Sequence, residues 1–241
     1  MRLVVLLLAV ATPVVAWLSQ TGAFGPDQGT ISDRYPTLLV AAGYAFSIWS
    51  VIFALDLVYA LLQATGTRRR NPVLARIAPA AAAGFFLTAI WMPLFSQEMF
   101  WLCLVVIFGA LACLAWSALV LSRSGGHFWS WLALSLHAGW LSLAAFLNLA
   151  QTIVAYGLLP TGDMLGWSAA LFLLAAALLL GLNHAMRGNL AYAAAALWGL
   201  GAVYVRQSGG ELPGSGIAAW IAVAIAVLLA VQTIWLRMRR S

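Results

Sequence analysis

Residues 137–148 read HAGWLSLAAFLN and lie inside an apolar run long enough to cross a bilayer. His137, Trp140, Ala144 and Asn148 are spaced three, four and four apart, which puts them on one stripe of a helix. An imidazole, an indole, a small residue and an amide on one buried stripe predict a surface that meets a helix or a ligand, not lipid tails. A helix of this kind belongs to a membrane bundle, and the rest of the chain agrees.

Of 241 residues, 64% are hydrophobic and 7% are charged, a composition of integral membrane proteins. At about 20 apolar residues per span, the pattern predicts an all-α, polytopic, multi-pass bundle of eight helices. The spans are read at 2–20, 38–63, 76–95, 98–122, 128–157, 166–184, 188–206 and 216–237. The runs are continuous, not alternating, which argues against a β-barrel. Arg2, an apolar core and Val14-Val15-Ala16 resemble a signal peptide, but the run is long and Trp17 follows at once, so a retained helix is expected, kinked at Pro13.

Charge sorts by side when eight spans are threaded from a cytoplasmic N-terminus. The cytoplasmic face then holds Arg2, Arg68, Arg69, Arg70, Arg76, Arg123, Arg187, Arg237, Arg239 and Arg240. The far side holds Arg34 and Arg206, which completes the twelve basic residues. Asp27, Asp33, Glu98, Asp163 and Glu211 also fall on the far side. The positive-inside rule therefore predicts both termini in the cytoplasm, and the all-arginine basic set suggests a bacterium, hence an inner-membrane location. The arginine clusters are read as topogenic charge near anionic lipid headgroups, with no nucleic-acid partner.

Several function classes drop out. The chain has no lysine, so it cannot form a retinal Schiff base. Cys103 and Cys113 share a span and point about 80° apart, which suits buried thiols and not a disulfide or metal pair. His127, His137 and His184 show no metal-ligand or haem-ligand spacing, so no metal is expected. Ser142 and Thr88 have no recognisable base beside them, so no catalytic residue is assigned.

Residues 21–37, with Gly22, Gly25, Pro26, Gly29 and Pro36, form a far-side loop long enough to fold over the bundle opening. The last three spans are dominated by Ala, Leu and Gly, which favour close packing. This divides the chain into a five-helix bundle at 1–157 and a three-helix addition at 158–241.

Within the spans, Trp49, Phe53 and Asp56 share a face. Asp56 is the single acid inside a span, where a carboxylate costs a few kcal/mol or more and must be paired, protonated or wet. It lies about 12 Å inside the membrane, near the depth of His137. The two are expected to interact, either as helix-locking polarity or as a proton-linked pair. Pro93 frees a carbonyl around Ala89, which can shape a cavity near Trp91. Trp129, Trp131, Trp167 and Trp220 read as belt anchors at the membrane boundaries. Trp49, Trp91 and Trp140 lie deeper and suit the walls of an apolar pocket.

Three stretches together resemble the TspO/MBR family of tryptophan-rich sensory and translocator proteins. They are GYAFSIWSVIF at 43–53, FFLTAIWMPLF at 85–95 and HAGWLSLAAFLN at 137–148. Their order and approximate spacing are similar to the family's second-, third- and fifth-helix motifs, over about residues 1–157. The resemblance implies a five-helix membrane bundle, often a homodimer, that binds porphyrins, sterols or other apolar molecules under its first loop. It implies a ligand pocket walled by Tyr44, Trp49, Phe53, Thr88, Trp91, Pro93, Trp140, Ala144 and Asn148, with residues 21–37 as lid. No cofactor is required, and a bound tetrapyrrole or lipid is the implied ligand. Thr88 stands where the family usually has asparagine, and Asp56 where it usually has an apolar residue. The reading is therefore a membrane sensor or carrier for an apolar or tetrapyrrole molecule, with membrane lipids around it. A proton-coupled transporter using Asp56 and His137, and an enzyme acting on a bound porphyrin or lipid, remain as alternatives.

Overall fold

The computed structural model describes residues 1–65, 70–125 and 127–239. Arg68, Arg69 and Arg240 of the arginine set lie outside the described residues. Within them the chain is helical and carries no strand. In chain order the helices are α1 (Arg2–Gln20), a short α2 (Gln28–Arg34), α3 (Ile48–Ala64), α4 (Pro72–Ser96), α5 (Phe100–Ser124), α6 (Phe128–Ala155), α7 (Leu165–Ala185), α8 (Leu190–Ser208) and α9 (Ser215–Met238). A 3-10 turn, Gly43–Ser47, leads into α3.

Five long helices close a ring. α1 packs between α3 and α4, α4 on α5, α5 on α6, and α6 returns to α3. α8 lies along α6 with α9 outside it, and α7 touches α6 and α9. Tight packing of α8 on α6 depends on Gly139, where an added Cβ would stand 2.2 Å from the Tyr192 carbonyl oxygen. The Tyr192 hydroxyl then donates to Ser142 Oγ at 2.8 Å, and Ser142 donates to the Ala138 carbonyl.

Among the described residues, seven helical segments are long and apolar enough to cross a membrane: α1, residues 43–64, α4, α5, α6, α7 and α9. The eighth expected span is α8, which is less apolar because it carries Tyr192, Arg206 and Gln207. Much of its surface meets protein, so it needs less lipid-compatible surface. It still runs between the two faces of the bundle. At its start Asn189 donates through Nδ2 to Ser122 and Ser135, and at its end Gln207 reaches the loop backbone at Thr37 and Val40. Helix direction places Arg2, Arg76, Arg123, Arg187, Arg237 and Arg239 at the end that holds both termini, and Arg34 and Arg206 at the other.

The second span departs from its predicted start. Residues 37–42 are not helical, although Leu38, Leu39, Val40 and Ala41 are buried. Within the segment Thr37 accepts from the Leu39 and Val40 N–H groups, and other backbone groups are satisfied from outside. Gln207 Nε2 donates to the carbonyls of Thr37 and Val40 at 3.0 Å each, and Ala42 N–H donates to the Ala202 carbonyl at 2.9 Å. Buried irregular backbone is tolerated at membrane depth only with such partners.

Candidate functional site

The 21–37 loop contains α2. Asp27 caps it, accepting from Gly29 N–H at 2.8 Å, Thr30 N–H at 3.2 Å and the Thr30 hydroxyl at 2.7 Å. The Thr30 hydroxyl, followed by the cap amides, holds the Asp27 carboxyl below its ordinary range against the opposing effect of burial. Two ion pairs pin α2 down. Arg34 donates to Glu98 at 2.8 Å, and Arg206 on α8 donates to Asp33 at 2.8 Å. Tyr35 donates to the other Glu98 oxygen at 2.5 Å, and this bond raises its phenol above the usual range. Gln97 adds a bond from Nε2 to the Phe24 carbonyl.

Beneath α2 lies a cavity of about 30 Å³. It is lined by Trp91, Trp140, Ala144 and Asn148 from the predicted set, together with Phe46 and Gln151 among others. Tyr44, Trp49 and Phe53 line a different space, an open groove of about 670 Å³ between α1 and α3. Thr88 and Pro93 line neither. The expected pocket is thus divided in two, and Phe46 lines both parts. Trp49 meets Trp140 edge to face with ring centres 6.0 Å apart, and Phe46 meets Trp140 in the same way at 6.3 Å.

Several buried donors beneath α2 lack a partner. Trp91 Nε1–H donates to Asn148 Oδ1 at 3.0 Å. An indole nitrogen only donates, so this bond orients the Asn148 amide and leaves Nδ2 free. Trp140 Nε1, Asn148 Nδ2 and Gln151 Nε2 are all buried without a partner, and all three residues line the small cavity. Gln151 continues the α6 stripe three residues beyond Asn148. The period that selected the stripe could have found it, had the stripe been extended by one turn.

Deeper in the bundle, His137 Nδ1 and Asp56 Oδ2 are 2.8 Å apart, with His137 fully buried and Asp56 nearly so. The Thr88 hydroxyl gives its hydrogen to the Gly84 carbonyl at 2.9 Å. With that hydrogen directed to Gly84, the hydroxyl oxygen can accept from His137 Nε2–H, 3.3 Å away. In that arrangement one proton lies between Nδ1 and Oδ2. The imidazole is flanked by Phe85, stacked at 6.1 Å, and Trp49, edge-on at 5.6 Å.

A family model described as TSPO-like protein matches residues 2–235. The chain belongs to the TSPO-like protein family. The match runs through α7, α8 and most of α9, so the last three helices fall within the TSPO-like span. No curated protein and no solved structure matches the chain. Family membership and the seven apolar helices make this a multi-pass membrane protein of the ligand-binding and sensor kind. Among the described residues no group of His, Cys, Asp or Glu could hold a metal ion. Cys103 and Cys113 are free thiols.

Proposed function

We propose that this TSPO-like protein is a bacterial inner-membrane sensor or carrier for an amphipathic small molecule of tetrapyrrole or lipid type. One observation carries the reading. Trp140, Asn148 and Gln151, which line one cavity beneath α2, each carry a buried N–H group without a partner. Leaving a buried donor unmet costs about 1–3 kcal/mol each, so the site favours a guest that brings oxygen acceptors. A carboxylate or ketone on an apolar skeleton fits this demand.

The small cavity has room for about one water. A larger guest requires Phe46 to swing away, which would join the cavity to the groove lined by Tyr44, Trp49 and Phe53. Binding would then gain about 25 cal/mol per Å² of apolar surface buried against these rings. Tryptophan-fluorescence titration with protoporphyrin and a panel of lipids tests the proposal. Wild type should quench saturably, Ala144→Phe should lose saturable quenching, and Gln151→Leu should weaken binding of acid-bearing guests more than of their esters. Equal titrations for all three proteins would overturn it.

A further inference from the structure

The buried face of α3 carries a file of polar groups that the ligand site does not use. Asp56, Tyr59 and Gln63 follow at three- and four-residue spacing, all buried, and run from mid-bundle to the arginine-rich end. Asp56 Oδ1, the Tyr59 hydroxyl and Gln63 Oε1 have no partner. Gln63 Nε2 donates to the Arg2 carbonyl at 3.1 Å, where α1 begins. Beside that contact an open cavity of about 560 Å³ is lined by Met1, Arg2, Leu3, Ala64, Ala75 and Ala78. Consecutive unmet polar atoms leading from a solvent mouth to a buried acid are what internal water requires.

We infer that the Asp56–His137 pair is a proton-binding site that exchanges with the arginine-rich face through Gln63 and Tyr59. The His137 Nε2 hydrogen is committed to Thr88, and one proton already lies between Nδ1 and Oδ2. The free acceptor is Asp56 Oδ1. A proton leaving water at the mouth forms a new O–H bond at Oδ1. Tyr59, which both donates and accepts, passes its own hydrogen forward and takes one from the water behind it. The loaded pair gains one positive charge, which the face of the Phe85 ring stacked on the imidazole favours.

The surrounding elements bring few competing charges. α1 contributes Arg2, and the Met1 amino group just before it stands at the same mouth. α6 contributes His137. α4 contributes Arg76, whose guanidinium lies 5.8 Å from the Trp116 ring centre. Tyr44, in the turn before α3, is exposed at the opposite end.

The test uses the full chain in vesicles sorted by orientation through a C-terminal tag. Infrared difference spectra read the carbonyl band of a protonated carboxyl after a pH step on one face, with no guest present. Wild type should show a band that grows when the arginine-rich face is acidified. Asp56→Asn, which keeps an oxygen for His137, should lose the band. Tyr59→Phe should reach the same final amplitude several-fold more slowly. The inference is overturned by no Asp56-dependent band at any pH, by a band that follows the opposite face, or by an unchanged rate in Tyr59→Phe. Should Asp56→Asn fail to fold, the rate comparison between wild type and Tyr59→Phe still decides. The ligand reading survives or fails separately, because no guest takes part.

Discussion

Two residues show how much a single side chain decides. Asp56 and His137 compensate each other inside the bundle. Removing the carboxylate leaves a buried imidazole with no partner at Nδ1, a change that costs about 3–5 kcal/mol when a buried pair is broken. Asp56→Ala should therefore unfold at markedly lower denaturant than Asp56→Asn, measured by loss of helical circular dichroism in detergent. Near-equal midpoints would show that the pair contributes little. Asp27 makes the corresponding point at the surface. It offers three acceptor contacts to the start of α2, and Asp27→Ala should cost the lid helix about 1 kcal/mol. Its lowered pKa sets the pH dependence. The contribution is complete above the ordinary carboxylate value and is lost as pH falls through the lower folded value. Hydrogen exchange at Gly29 and Thr30 should accelerate in that acidic window in wild type, whereas Asp27→Ala should exchange fast throughout.

At the scale of elements, α6 and α8 approach so closely that a side chain cannot be accommodated between them. An added Cβ at Gly139 would meet backbone, which cannot rotate away, so Gly139→Ala should destabilise by about 1–3 kcal/mol. Gly201 on α8 has nothing within reach of an added Cβ, so Gly201→Ala should be neutral or raise stability by up to about 1 kcal/mol. Thermal unfolding of the two variants beside wild type checks the contrast. The stripe at 137–148 made α6 legible, because its polar residues repeat at helical spacing. The packing partner was not legible. Small residues at 139 and 199 announce some close neighbour, but nothing in their spacing names α8 as that neighbour. The start of α3 was misplaced for a related reason. Leu38 to Ala41 look like membrane helix because they are apolar, and their irregular backbone is held by Gln207 and Ala202, over 160 residues away.

For the whole molecule, α2 is the element placed to respond to solvent conditions. It is fastened by the half-exposed Arg34–Glu98 pair and the Arg206–Asp33 pair, each worth no more than about 1 kcal/mol and weakened by salt. Glu98→Gln removes the charge that both Arg34 and Tyr35 address. Protoporphyrin should then enter and leave faster, with a smaller effect on affinity, in stopped-flow fluorescence. High salt should shift wild type toward the variant. Rates that are insensitive to both changes would mean that access does not pass under α2 and depends on Phe46 alone.

Composition, arginine placement and the three aromatic stretches were sufficient to determine a helical membrane bundle with both termini on one face and membership of the TSPO-like family. These are properties of local periodicity and of the cost of charge in lipid, and both are written along the chain. Tertiary structure alone decided that the expected pocket is two spaces separated by Phe46, that Gln151 belongs with Trp140 and Asn148, and that α8 packs against the ring. Each of these depends on which distant groups satisfy a buried donor or fill a gap. A hydrogen bond or a close approach between helices is set by the folded geometry, and helical spacing reports only which residues share a face.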